Sequence, residues 1–389
     1  MREQAPAPAL WVRTNLLSSP LNVVLTFVMG AFVAWVVYGT ARWVLVTAEW
    51  GVLKANLRAY MVGRFPDDEI WRVWVALFLL AALTGVSRGV LRRRRLTRTG
   101  LVGRLILTGL AVAVVLWLVE STFVLAALAG VAAVHLVAFR VGRSAGARLR
   151  TPVLIGWILA FPVVIVLLMA FGGVRAELWG GFLLNVLVAI VAIFASFPIG
   201  LLLALARRSA LPVLSGFAVG AIELIRGVPL VTLLIFGELV LPLLLPPGLA
   251  LSSIVRAMTM FTIFSAAYVA EIVRGGLQGI PAGQFEAGRA LGLSPTRLMA
   301  LVVLPQALRS TIPAMISHFI SLFKDTSLLA ALAGFAELLR NARRAPAGLE
   351  FIGDQAEALV PAAFIFWVVA FSMARWSRRM ERRLGVEER

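Results

Sequence analysis

The 389-residue chain contains no cysteine and only two histidines, His135 and His318. Without cysteine there can be no disulfide and no thiolate metal site, and two histidines cannot build a His-rich one. An intramembrane enzyme would need a nucleophile with its base, or a metal, and the same scarcity argues against both. Charge is also sparse, at 14% of residues against about a quarter in soluble domains. No G-x-x-x-x-G-K-[ST] segment occurs, so the chain has no P-loop with which to bind ATP. Low-complexity segments and internal repeats are lacking too, and no cleavable signal peptide is evident.

What is present is apolar surface. Hydrophobic residues make up 61% of the chain, in runs long enough to cross hydrocarbon, which takes about 20 residues at about 1.5 Å each. The bilayer offers backbone amides no water, so such runs are helices or closed barrels. These are continuous rather than alternating, which selects helices. The expectation is an all-α integral membrane protein of about ten spans, at 21–46, 70–86, 105–118, 122–139, 152–171, 179–205, 229–246, 253–272, 312–332 and 359–374.

The net charge of +18 could signal nucleic-acid binding. Here, however, the arginines sit in short segments between apolar runs, as in Arg92, Arg93, Arg94 and Arg95, Arg148 and Arg150, Arg207 and Arg208, and Arg378 and Arg379. All fall on one side if both termini are cytoplasmic, which is the positive-inside pattern of a protein in lipid. Nucleic acid is therefore not an expected partner. Composition breaks near 172–179. Earlier spans carry few polar residues, whereas later ones hold Glu, Arg, Lys and Asp beside or inside apolar runs, a costly placement unless used or paired. This divides the chain into an extension, 1–175, with about five spans, and a five-span core, 176–389.

One cytoplasmic loop, 280–305, reads IPAGQFEAGRALGLSPTRLMALVVLP. Pro281 suits the first turn of a helix, Gly292 its left-handed end, and Ser294 the N-cap of a second helix with Pro295 at its first position. Leu298, Leu301, Val302 and Pro305 recur at helical spacing. The segment predicts a helix–turn–helix that presents Glu286, Arg289, Thr296 and Arg297 outward. It resembles the EAA loop of the inner-membrane subunits of binding-protein-dependent ABC importers. Glu286, Ala287, Gly292, Leu304 and Pro305 stand in register with that pattern, Gly288 replaces its second alanine and Val302 its isoleucine. The resemblance implies that this loop docks into a groove of a cytoplasmic ATPase, with Glu286 in polar contact and Gly292 making the turn.

Three more segments are similar to the polar amino-acid branch of these permeases: Glu223-Leu-Ile-Arg226-Gly227-Val-Pro229, Ala267-Tyr268-Val-Ala-Glu271-Ile-Val-Arg274-Gly275, and Lys324-Asp325-Thr326-Ser327-Leu328. The long extension resembles that of the larger permease subunit of general L-amino-acid importers. Implied partners are an ABC ATPase dimer that binds the ATP, a second permease subunit, a periplasmic amino-acid-binding protein and the amino acid. The implied place is a bacterial inner membrane.

A zwitterionic substrate needs an acceptor for its ammonium and a donor for its carboxylate. Lys324 and Asp325, with the hydroxyls of Thr326 and Ser327, are suited to line its path, and His318 is placed to sit near it. Glu223 with Arg226, and Glu271 with Arg274 about one helical turn apart, are expected to brace helices rather than touch substrate. Gly227 and Pro229 permit a sharp turn into the following span. A secondary transporter or channel is the rival reading. It would need coupling-ion carboxylates deep within broken helices, and few carboxylates lie mid-span.

Overall fold

A computed structural model describes residues 8–91, 109, 112–246 and 248–384, and the chain divides into two compact units, Met1–Val52 and Leu53–Arg389. The first unit holds α1 (Pro8–Asn15) and α2 (Pro20–Arg42), the latter extended by a wide π turn at Trp43–Thr47. Ser19 caps α2 by accepting the Asn22 N–H, and Pro20 occupies the first turn, where its missing N–H costs nothing. The helix is apolar on every side and none of its most apolar stretch is buried within the chain. A helix of that kind is suited to lipid.

The second unit opens within α3 (Gly51–Val62) and runs through α4 (Ile70–Leu91), α5 (Thr122–Ala145), α6 (Arg150–Met169), α7 (Gly181–Ala206) and α8 (Pro212–Gly227). It continues with α9 (Leu230–Ile235), α10 (Leu241–Leu244), α11 (Ser253–Gln278), α12 (Ala282–Ala290), α13 (Pro295–Leu298), α14 (Leu304–Asp325), α15 (Leu338–Arg344) and α16 (Gln355–Leu384). Among the described residues the only β feature is an isolated bridge between Gly181 and Glu337. The all-helical expectation holds.

Ten spans were expected; among the described residues, seven helical stretches are long and apolar enough to cross a membrane, or eight when one bent pair counts as a span. The expected span at 105–118 lies partly outside the described residues, and its described positions, 109 and 112–118, are helical. Those at 122–139 and 152–171 belong to one stretch, Thr122–Met169, in which α5 and α6 meet at the short 3-10 turn Gly146–Leu149. The one at 229–246 is the second limb of a bent pair. There α8, which the hydropathy reading left outside the spans, is bent by 102° against Leu230–Leu244. Pro229 drives Val228 into extended backbone (φ −106, ψ 134), which ends α8 there.

Two apolar clusters fill this unit. One joins Val62, Phe65, Ala76 and Leu168 to Leu184, Phe261 and Leu329. The other joins Ala204, Ile222, Val273 and Leu277 to Leu298, Val303 and Met315. Helix α11 runs through both and is the most enclosed span, with 56% of its most apolar stretch buried. The compact division therefore falls between Val52 and Leu53, while the composition break lies near Gly172. Residues of α3 and α4 share a core with α7 and α11.

In lipid, helices gain little from hiding apolar surface from each other, so close backbone approach matters more. Gly85 and Gly89 of α4 meet α5 this way. A Cβ on Gly85 would lie 2.5 Å from the His135 carbonyl oxygen, and one on Gly142 would lie 2.4 Å from that of Val86.

Candidate functional site

Loop 280–305 folds as the helix–turn–helix its sequence predicts. Pro281 precedes α12, Gly292 takes φ +75, and the Ser294 hydroxyl accepts the Arg297 N–H at the start of α13. A side chain at that φ would be strained, so glycine sets the turn. Gly288 is buried because Leu298 closes over it, and an added Cβ would stand 2.2 Å from Leu298 Cδ1. The replacement of the second alanine by Gly288 thus has a steric reason. The inner side of the loop is anchored through Leu298 and Val303, with Phe285 and Leu293 packed against them. Its outer side exposes Glu286, Ala287, Arg289, Ser294, Pro305 and two large apolar residues, Leu291 and Leu301, at 80% and 69%, while Leu304 is half-buried.

A π turn at Met299–Val303 joins α13 to α14. Pro305 has no N–H to return to the carbonyl four residues back, and the Leu304 N–H instead reaches the Met299 carbonyl. The same pairing recurs at Phe236–Val240, two residues before Pro242.

Next to the loop, helices α7, α8 and α11 converge on Glu271. Its carboxylate takes Arg207 at 2.7 Å, Arg274 at 2.7 Å and Arg226 at 3.3 Å, and its side chain is 13% exposed. Glu223 pairs with Arg207 at 3.6 Å and is 63% exposed. Arg274 pairs with its helix neighbour Glu271 as its spacing predicts, whereas Arg226 answers Glu271 and not its own helix neighbour Glu223. Arg207 was read only as a loop cation; nothing in its local sequence announces a partner 64 residues away. Gly227 and Pro229 lie at the 102° bend.

From this cluster a chain of contacts leads into the span. The Arg226 guanidinium lies 5.4 Å from the centre of the Tyr268 ring, which stacks on His318 at 5.4 Å. His318 Nε2 lies 2.9 Å from the Ser265 hydroxyl, which donates to Ser196 Oγ at 2.9 Å. Both serines are wholly buried.

Lys324, Asp325, Thr326 and Ser327 close α14 at the end opposite the loop. Lys324 is exposed, and Asp325 and Ser327 are half-buried. Thr326 is fully buried, donates to the Phe323 carbonyl and accepts from Asn185 Nδ2. Its hydroxyl is engaged in structure, so it has little left to offer a passing substrate.

Asn185 and Glu337 escaped the sequence reading. Glu337 is fully buried, caps α15 through the N–H groups of Leu339 and Arg340, and accepts from Asn185 Nδ2 at 3.1 Å. Burial raises the Glu337 carboxyl above its ordinary 4.5, opposed by those hydrogen bonds and by Arg343. Helix α3 joins the same end. Tyr60 donates to the Ala358 carbonyl at 2.9 Å and Asn341 donates to that of Ala59 at 2.6 Å. Burial pushes the Tyr60 phenol up to about 12. Further along this end, Glu238 pairs with Arg256 at 2.9 Å and with Ser253 at 2.8 Å. Among the described residues no group of three or more His, Cys, Asp or Glu could hold a metal.

Residues 196–386 match the family described as binding-protein-dependent transport system inner membrane component. The glutamate/glutamine/aspartate/asparagine transport system permease protein BztC of Rhodobacter capsulatus is 34% identical over 97% of this chain and 94% of its own length. The inner membrane amino-acid ABC transporter permease protein YhdY of Escherichia coli is 32% identical over 97% and 93%. The probable glutamine ABC transporter permease protein GlnP of Bacillus subtilis is 38% identical over 53% of this chain and 93% of itself. A solved amino acid ABC transporter with histidines is 28% identical over 52% of this chain and 92% of its own, with a TM-score of 0.47. The chain belongs to the inner membrane components of binding-protein-dependent transport systems, the multi-pass and non-catalytic permease subunits of ABC importers.

Proposed function

We propose that this permease carries polar L-amino acids across a bacterial inner membrane, with both termini cytoplasmic. The reading is supported by the amino-acid transport named for its full-length relatives. Loop 280–305 carries the mechanism. Its inner face is locked into the core beside Glu271, while Glu286, Leu291 and Leu301 stand outward as one polar and two apolar contacts for a cytoplasmic ATPase dimer. ATP is bound and hydrolysed there, and the chain itself holds no cofactor. A second permease subunit completes the path, and a periplasmic amino-acid-binding protein loads it. Residues 176–389 form the translocating core, with Lys324, Asp325 and His318 along the path. The preceding part serves packing and assembly.

A partner census tests this. The chain is purified from its native membrane in mild detergent through a C-terminal tag, beside Glu286→Ala and Gly292→Pro. The expected result is co-purification of a soluble ATPase and a second permease with the wild type, and at least a fivefold loss of the ATPase in both variants. A chain that purifies alone, with uptake indifferent to these changes, sinks the reading and favours a secondary transporter.

A further inference from the structure

The serine–histidine seam fixes the state of His318. The Ser196 hydroxyl spends its proton on the Ile193 carbonyl at 3.2 Å. The Ser265 hydroxyl spends its own on Ser196. Ser265 can then only accept from His318, so the imidazole proton is on Nε2 and the lone pair on Nδ1. The side-chain atoms that are enclosed without a partner, among the described residues, are Glu238 Oε2 and Arg256 Nε. Among the described residues Nδ1 of His318 takes no hydrogen bond and is not one of these, so it is not fully enclosed. The imidazole ring itself lies among aromatic rings, with the centre of Tyr268 stacked 5.4 Å from its own and that of Phe319 at 5.7 Å.

An unengaged nitrogen lone pair is an acceptor for a cation that donates hydrogen bonds. The geometry points to His318 Nδ1 as the acceptor for the α-ammonium group of the transported amino acid, held in that tautomer by Ser265 and Ser196. This rests on the amino-acid reading above and adds the atom that recognises the group common to every such substrate. The two serines are positioning residues. They touch no substrate and act by keeping the proton off Nδ1.

The test uses the assembled transporter, free of binding protein and ATP, with L-glutamine and glutaramate, the same molecule without its ammonium, as probes. Wild type is expected to bind L-glutamine at least tenfold more tightly than glutaramate. His318→Leu should bring that ratio close to one by weakening glutamine alone. His318→Gln, which supplies both a donor for Ser265 and an oxygen acceptor, should keep at least a third of it. Ser265→Ala should lower it while thermal unfolding stays near wild type. If His318→Leu does not assemble, the contrast between His318→Gln and Ser265→Ala carries the same prediction. An unchanged ratio in the variants overturns the assignment, as does a wild type that imports glutamine yet does not distinguish the two probes. A wild type that imports no amino acid at all removes the underlying reading instead.

Discussion

Glu271 is one carboxylate facing three guanidinium groups. Taking a single partner from a buried ionic cluster costs more than the cluster contributed, because the remaining charges lose their neutralisation. Glu271→Gln should therefore lower stability by about 2–3 kcal/mol, somewhat less than a fully dry site because the arginines are partly exposed. Glu223→Gln removes a largely exposed partner and should cost below about 1 kcal/mol. Thermal unfolding in detergent ranks the two, and equal effects would contradict the geometry. Glu337 gives a prediction in pH. Its folded-state carboxyl lies above the ordinary value of 4.5, so the folded form binds its proton more tightly than the unfolded form does. Its contribution is fully present below pH 4.5 and is lost as pH rises through the raised folded value. Melting temperature measured across that window should fall more steeply in wild type than in Glu337→Gln, and parallel curves would refute it.

Among the elements, the wide turns and the glycine contacts have different physical origins. Each π turn ahead of Pro242 and Pro305 holds one residue more than an α turn would. Since a residue advances a helix by about 100°, this extra residue sets which face of α13 turns toward Gly288. Hydropathy cannot see it, since the extra residue alters the hydrogen-bond pairing and not the composition. Helix α8 also escaped the span reading. Its face toward α11 buries Ala218 and Ile222, its other face leaves Val213, Phe217 and Leu224 exposed, and Pro229 cuts it short. The capping signals were legible by contrast. Ser294, Pro295 and Gly292 act through their immediate neighbours and need no tertiary context. The α4–α5 contact rests on Gly85 and Gly89, four residues apart, which the hydropathy reading did not single out. Gly142→Val should push the two backbones apart and destabilise the protein by about 1–3 kcal/mol, whereas Gly30→Ala, with nothing within 4 Å of its added Cβ, should lie within about 0.5 kcal/mol of wild type in the same melt.

At the scale of the whole molecule, the coupling loop was legible because its caps and turn are local, while the extent of the compact unit was not. Composition changes near Gly172 where polar residues begin to appear in the spans. The compact unit nevertheless begins at Leu53, since Val62 and Phe65 are packed with Leu184 and Phe261. Long-range partners of this kind leave no trace in hydropathy: Asn341 and Glu337 read as ordinary polar loop residues until Ala59 and Asn185 are brought beside them. The bond from Tyr60 to the Ala358 carbonyl spans 298 positions of the chain. A ribosome adding about 5–20 residues per second delivers that acceptor some 15–60 s after the tyrosine, by about the same rate. Helix α3 must therefore wait, already made and without its final neighbours, until the last span has been threaded into the membrane, so this end of the permease is the last part to close during its biosynthesis.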